Sequence, residues 1–206
     1  MKRLFVSLPL DDQFAKVFEC YRDANGRIGY LRWIPIKYLH VTVLFIGDVP
    51  ERRLSQLVDA LAAVAASHEP LALVLDRITY APPGKYGRDK PNMVWAQFKQ
   101  SDEFDALATD VLDAVEGIAP MVMDSHKQRG RPLIPHVTLA RFRDPKNPPR
   151  HLRKLHKTEY EGRAMGISAM DLMESQLSRE GAQYTRLARF ALSRSRQETE
   201  HGLEEG

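Results

Sequence analysis

HVTVLFI at residues 40–46 returns as HVTLARF at residues 136–142. Both stretches are dense in β-branched and aliphatic residues, the composition of a strand. In a strand, positions i and i+2 point to one face. His40 therefore stands beside Thr42, and His136 beside Thr138, while Val41 and Val137 turn the other way. Each copy offers an imidazole and a hydroxyl on a rigid element. With seven histidines and seven threonines in 206 residues, a shuffled chain holds on the order of a quarter of one His-x-Thr match. One such tripeptide is a weak signal. Two that share the valine and the strand context are a strong one.

Outward from these motifs the two halves rhyme. Residues 2–8 read as a strand, and Asp11 or Asp12 caps a helix with Phe14, Val17, Phe18 and Tyr21 at helical spacing. Asn25-Gly26 ends it. Residues 28–33 read as a short strand closed by Pro35, and residues 40–46 as a strand stopped by Gly47-Asp48. A helix follows Pro50 to about residue 67, burying Leu54, Leu57, Leu61 and Val64. The second half repeats the order: strands at 71–81 and 93–98, a helix over 102–117, the second motif, a long extended segment at 166–177 and a last strand at 184–192. The expectation is an α+β fold of two similar lobes, with antiparallel-rich sheets, a cleft between them and helices outside. Residues 1–192 form one bilobal domain in this reading, and residues 193–206 a polar, mobile tail.

Composition narrows the class. With 43% hydrophobic and 28% charged residues, the chain is neither disordered nor fibrous. Its one cysteine, Cys20, excludes a disulfide framework or a cysteine-based zinc module and fits a reducing compartment, so a cytoplasmic location is expected. The most apolar stretch, residues 57–66, is too short to span a bilayer. The opening MKRLFVSLPLDD breaks its apolar run at Ser7 and Pro9, which argues for a buried first strand over a signal peptide. No membrane association and no obligate protein partner are expected. A net charge of +3 permits an anionic partner without demanding one.

Paired histidines admit three readings: core histidines, metal ligands or proton-transfer groups. No third ligand stands at recognisable metal spacing and there is no HExxH, so no metal and no cofactor are expected. Phosphodiester cleavage by in-line displacement needs a base on the attacking oxygen and an acid on the leaving one. Histidine can fill either role near neutral pH. Thr42 and Thr138 can hold the non-bridging oxygens.

With both HxTx strands in view, the chain resembles the 2H phosphoesterase superfamily. The opening RLFVSLPL, Arg32-Trp33 and Pro35 before LHVTVLFIGDV, PHVTLARF and the late MESQLSREGAQYTRLARFAL narrow the resemblance to the bacterial RNA 2′,3′-cyclic phosphodiesterases, also called 2′-5′ RNA ligases. The resemblance implies a bilobal α+β fold with the cleft between lobes, His40 as proton donor and His136 as proton acceptor. The expected substrate is RNA with a 2′,3′-cyclic phosphate end, tRNA fragments included, opened to a 2′-phosphate, with 2′-5′ ligation as the reverse. The alternatives are a relative acting on small cyclic nucleotides or 2′-5′ oligoadenylate, and a non-catalytic RNA-binding or nucleotide-binding module.

Further candidates lie around the motifs. Lys127, Arg129 and Arg131 run directly into the second strand, and Lys85, Arg88 and Lys90 cluster with Tyr86. Both groups read as flanks that attract an RNA backbone. Strict alternation puts Arg141 on the face opposite His136, so a direct phosphate role for it requires a bulge or a twist there. Arg32 and Trp33 are candidates for lining the cleft, with structural packing an equal reading of Trp33, and Phe5 and Tyr184 read as core or cleft wall. His68, His126, His151, His156 and His201 read as surface residues.

Overall fold

The computed structural model describes residues 1–82, 91–119, 133–178 and 181–193. Its strands are β1 (Lys2–Pro9), β2 (Leu31–Trp33), β3 (His40–Val49), β4 (Leu71–Ala81), β5 (Met93–Phe98), β6 (His136–Phe142), β7 (Ala164–Ile167), β8 (Ala169–Ser178) and β9 (Gly181–Ala191). Three α-helices interleave with them: α1 (Asp12–Asn25), α2 (Leu54–Ala66) and α3 (Asp102–Glu116). The strands join in the order β7-β4-β5-β6-β3-β1-β8-β9, with β2 on β6. All these pairings are antiparallel.

The expected two lobes are the two halves of this path, and they meet at one residue pair, Val41 with Val137. Along its other edge β3 pairs with β1 from His40 to Val49, and past Val137 β6 takes β2 as its neighbour in place of β3, so the two halves part there and leave the cleft. Val41 and Val137 are fully buried, so the motif residues flanking them face the open side. The core lies on the other face, where the helices pack. Phe14 of α1 reaches Phe98 of β5 at 6.0 Å between ring centroids, and Leu57, Leu61, Leu107 and Val111 are fully enclosed.

Local chemistry fixes the helix starts. Asp11 caps α1 by accepting from the Phe14 amide at 2.7 Å, and its other oxygen accepts from the Gly166 amide of β7. Ser101 caps α3 through the Phe104 amide, with Asp102, Glu103 and Asp105 in the positive first turn. Asn25 ends α1 and, buried, accepts from the amide of His156, tying a distant loop to the helix end.

Four expectations need correction. The strand expected over 28–33 is only β2, because Ile28 closes a turn onto the Asn25 carbonyl. Gly47-Asp48 does not stop β3. Gly47 takes φ +87° next to an unopposed Ile46, so the glycine serves a bulge and the strand continues to Val49. α2 begins at Leu54, because Glu51–Arg53 forms a tighter 3₁₀ turn after Pro50. The extended segment is two strands, β7 pairing with β4 and β8 with β1.

Candidate active site

The Val41–Val137 pair is antiparallel. Extending that register by one residue each way sets His40 across from Thr138 and Thr42 across from His136. The four side chains share the cleft face, all half-buried. Neither threonine hydroxyl has a partner among the described residues.

Each imidazole is held in the same way. His40 Nδ1 lies 2.8 Å from the Tyr38 carbonyl, and His136 Nδ1 lies 2.9 Å from the Ile134 carbonyl. A carbonyl can only accept, so Nδ1 carries the proton and Nε2 is left for the cleft. When Nε2 is bare it is a base, and when protonated it is an acid. The walls differ. Phe5 and Tyr184 lie 4.9 and 5.3 Å from the His40 ring centroid. His136 stacks on Trp95 at 3.7 Å, with the planes 23° apart.

Burial lowers the pKa of both histidines from the ordinary value, and the Arg141 charge adds to the effect at both. For His40, the charge on His136 contributes as well. The nearby carbonyls act in the opposite direction.

The two copies share a further device. Ser7 pairs with Thr42 and Val6 with Leu44, leaving Val43 unopposed. Trp95 pairs with Thr138 and Val94 with Ala140, leaving Leu139 unopposed. Each unopposed residue is a bulge that resets the alternation. Arg141 is thereby turned onto the face of His136, where strict alternation would not have placed it. The equivalent position after the first motif is Phe45, a large apolar side chain that is 59% exposed. Sequence reading missed both Phe45 and the Trp95 stack. The signal for the bulges was present in the adjacent apolar pairs, Val43-Leu44 and Leu139-Ala140.

Arg32 sits on β2 directly opposite Arg141. Trp33 takes the packing role, its ring 6.2 Å from Tyr21. Phe5 is a buried wall beside His40. His68 is not a plain surface residue: half-buried, it binds Asp110 at 2.8 Å and links α2 to α3. His156-Lys157-Thr158 is a third His-x-Thr, in a loop outside any strand, so strand context and not the tripeptide distinguishes the pair. Lys85, Tyr86, Arg88, Lys90, His126, Lys127, Arg129, Arg131, His201 and the tail from residue 194 lie outside the described residues. No three His, Cys, Asp or Glu side chains gather into a metal-holding group among the described residues. No described helix is long and apolar enough to cross a membrane.

A two-lobed antiparallel sheet with one His-x-Thr strand from each lobe is the architecture of a two-histidine phosphoesterase. The model of the 2′-5′ RNA ligase superfamily matches residues 10–178, and the chain belongs to that superfamily. A Geobacillus stearothermophilus protein named RNA 2′,3′-cyclic phosphodiesterase is 31% identical over 68% of this chain. The chain spans 43% of that relative's length. A protein of the same name from Methanothermobacter thermautotrophicus is 23% identical, over 92% of this chain and 98% of its own. Among solved structures, TT0787 of Thermus thermophilus superposes with a TM-score of 0.74 at 23% identity, covering 93% of this chain and 98% of that one. E. coli LigT, solved with 3′-AMP, gives 0.71 at 19% identity, covering 94% and 99%. These two likenesses establish the shared fold.

Proposed function

We propose that this chain is a metal-independent cyclic phosphodiesterase that opens the 2′,3′-cyclic phosphate end of RNA to a 2′-phosphate. One observation carries the reading. Two imidazoles, each fixed through Nδ1 to the carbonyl two residues upstream, present Nε2 to one cleft beside two unengaged threonine hydroxyls. The names of the relatives point the same way.

In the proposed step, His136 Nε2 takes a proton from water as its oxygen bonds to phosphorus. The P–O3′ bond breaks on the opposite side, and protonated His40 Nε2 gives its proton to the departing O3′. Thr42, Thr138 and Arg141 hold the non-bridging oxygens, whose charge grows in the transition state. The imidazoles exchange protons with solvent and the pair resets. By microscopic reversibility, the same groups serve 2′-5′ joining. The two histidine environments are alike in kind, so ribose docking sets the direction. The whole unit from residue 1 to 192 is needed, since each lobe supplies half of the site. The single exposed thiol of Cys20 supports a cytoplasmic location.

The test is turnover of an RNA oligonucleotide ending in a 2′,3′-cyclic phosphate, with and without EDTA, followed by chromatographic analysis of the product end. The expected result is an EDTA-insensitive rate and a 2′-phosphate. A 3′-phosphate product would overturn the docking. A loss of activity with EDTA would overturn the metal-free mechanism.

A further inference from the structure

The arginines on the cleft face fall into two groups. Arg189 is spent on Asp171, with paired hydrogen bonds of 2.7 and 2.8 Å, and Arg186 lies 3.9 Å from the same carboxylate. Arg77 is held by Asp76. Arg32 and Arg141 differ. Their only polar contact among the described residues is from Arg141 to the Met93 sulfur, at 3.1 Å. They also stand directly across from each other on β2 and β6. Leu31 and Phe142, the next cross-strand pair, are both buried, which puts the two exposed arginines together on the open face.

Like charges directly opposite in an antiparallel pair are destabilising. No carboxylate among the described residues offsets this pair. The arrangement has a use if an anion sits between the guanidiniums, since arginine's planar fork suits phosphate. The location selects which anion. Arg141 is close enough to both histidines for its charge to act on them, so it belongs to the reacting phosphate. Arg32 is one strand further out, about 4.8 Å on, on the side away from β5.

We infer that Arg32, standing beside Arg141 and one strand further out, forms a subsite for a second phosphate, the phosphodiester 5′ to the terminal nucleotide of the RNA. This rests on the proposed reaction and adds a substrate class to it: a chain with at least one internal phosphate is preferred over a cyclic mononucleotide. The RNA then leaves the cleft along β2.

The experiment is a cycle between protein charge and substrate charge. Wild type, Arg32→Gln and Arg32→Lys are assayed on two oligonucleotides with 2′,3′-cyclic ends. They are identical except that one carries an uncharged methylphosphonate at the last linkage. Arg32→Gln on the charged substrate and wild type on the neutral one should each lose about 10-fold in kcat/KM. Combining the two should cost little more than either alone. Arg32→Lys should recover part of the loss on the charged substrate only. The Arg32→Gln melting temperature should match or exceed that of wild type, because a repulsion is removed. Multiplying losses, or no loss in Arg32→Gln on the charged substrate, would overturn the subsite while wild-type turnover upholds the reaction. Absence of wild-type turnover on the unmodified oligonucleotide would overturn both.

Discussion

The His40 half and the His136 half use one device and end it differently. Each begins a strand with His-Val-Thr, fixes Nδ1 to the carbonyl two residues upstream and bulges after the threonine. Past the bulge, one half presents Phe45 to the cleft and the other Arg141. Beside the imidazoles, one half has Phe5 and Tyr184, the other the Trp95 stack. The shared part is what proton transfer on either side of phosphorus requires. The unshared part gives the cleft an apolar end and a cationic end, and RNA has both kinds of surface. In the proposed reaction, symmetry serves proton transfer and its breaking sets which way the substrate lies.

The largest effect should come from breaking the shared part. His40→Ala and His136→Ala should each lower turnover of the cyclic-ended oligonucleotide by about 10²–10⁴-fold with the fold intact. A folded variant that keeps more than about a tenth of wild-type activity would remove that histidine from the acid–base pair. Next come the hydroxyls. Thr42→Val and Thr138→Val keep the branched shape and should cost about 10-fold to several hundred-fold, mainly in kcat. A change in KM alone would mean that the hydroxyls bind ground and transition states equally.

The unshared positions should give smaller and unlike losses. Arg141→Ala should depress kcat, because in the proposed step its charge acts on the reacting phosphate. Phe45→Ala should raise KM by roughly 10-fold, the value of one stacked base. If both variants changed the same parameter by the same factor, the asymmetry would not orient the substrate. Smallest at physiological salt should be charge reversal at Lys127, Arg129 and Arg131. It is expected to weaken binding of long RNA and flatten its salt dependence while affecting a cyclic mononucleotide less. Equal losses on both substrates would move that loop into the reaction centre or the fold.

Much of this was legible in the residues, because strand composition and period-2 alternation are local properties. The two motif strands, the helix cap at Asp11 and the bilobal α+β plan all follow from such patterns, whereas the Ser101 cap came from the structure. What was not legible depends on partners far along the chain. Nothing near Val41 names Val137, and nothing near His136 names Trp95, because cross-strand register is set by the assembled sheet. The side on which Arg141 emerges shows the boundary. Alternation alone places it on the face opposite His136, and only the pairing of Val94 with Ala140 and Trp95 with Thr138 makes Leu139 a bulge. Gly47 misled for the same reason. A glycine at positive φ ends a strand or bends one, and its neighbours across the sheet decide which.

The central claim is that the two alike histidines do opposite things, and the pH dependence of kcat/KM in three proteins tests it most directly. In wild type, one histidine must be neutral and the other protonated, so the profile is a bell. Both pKa values are lowered by burial and by Arg141, so in the free enzyme the limbs are displaced to the acid side of the ordinary histidine value of about 6.5. The kcat limbs shift back toward alkaline pH, because bound anionic phosphate favours imidazolium. Without the donor, the residual rate of His40→Ala follows neutral His136 and rises with pH to a plateau. Without the acceptor, the residual rate of His136→Ala follows protonated His40 and falls as pH rises. Complementary half-bells are the predicted result; an intact bell in either variant, or the same limb lost from both, would contradict it.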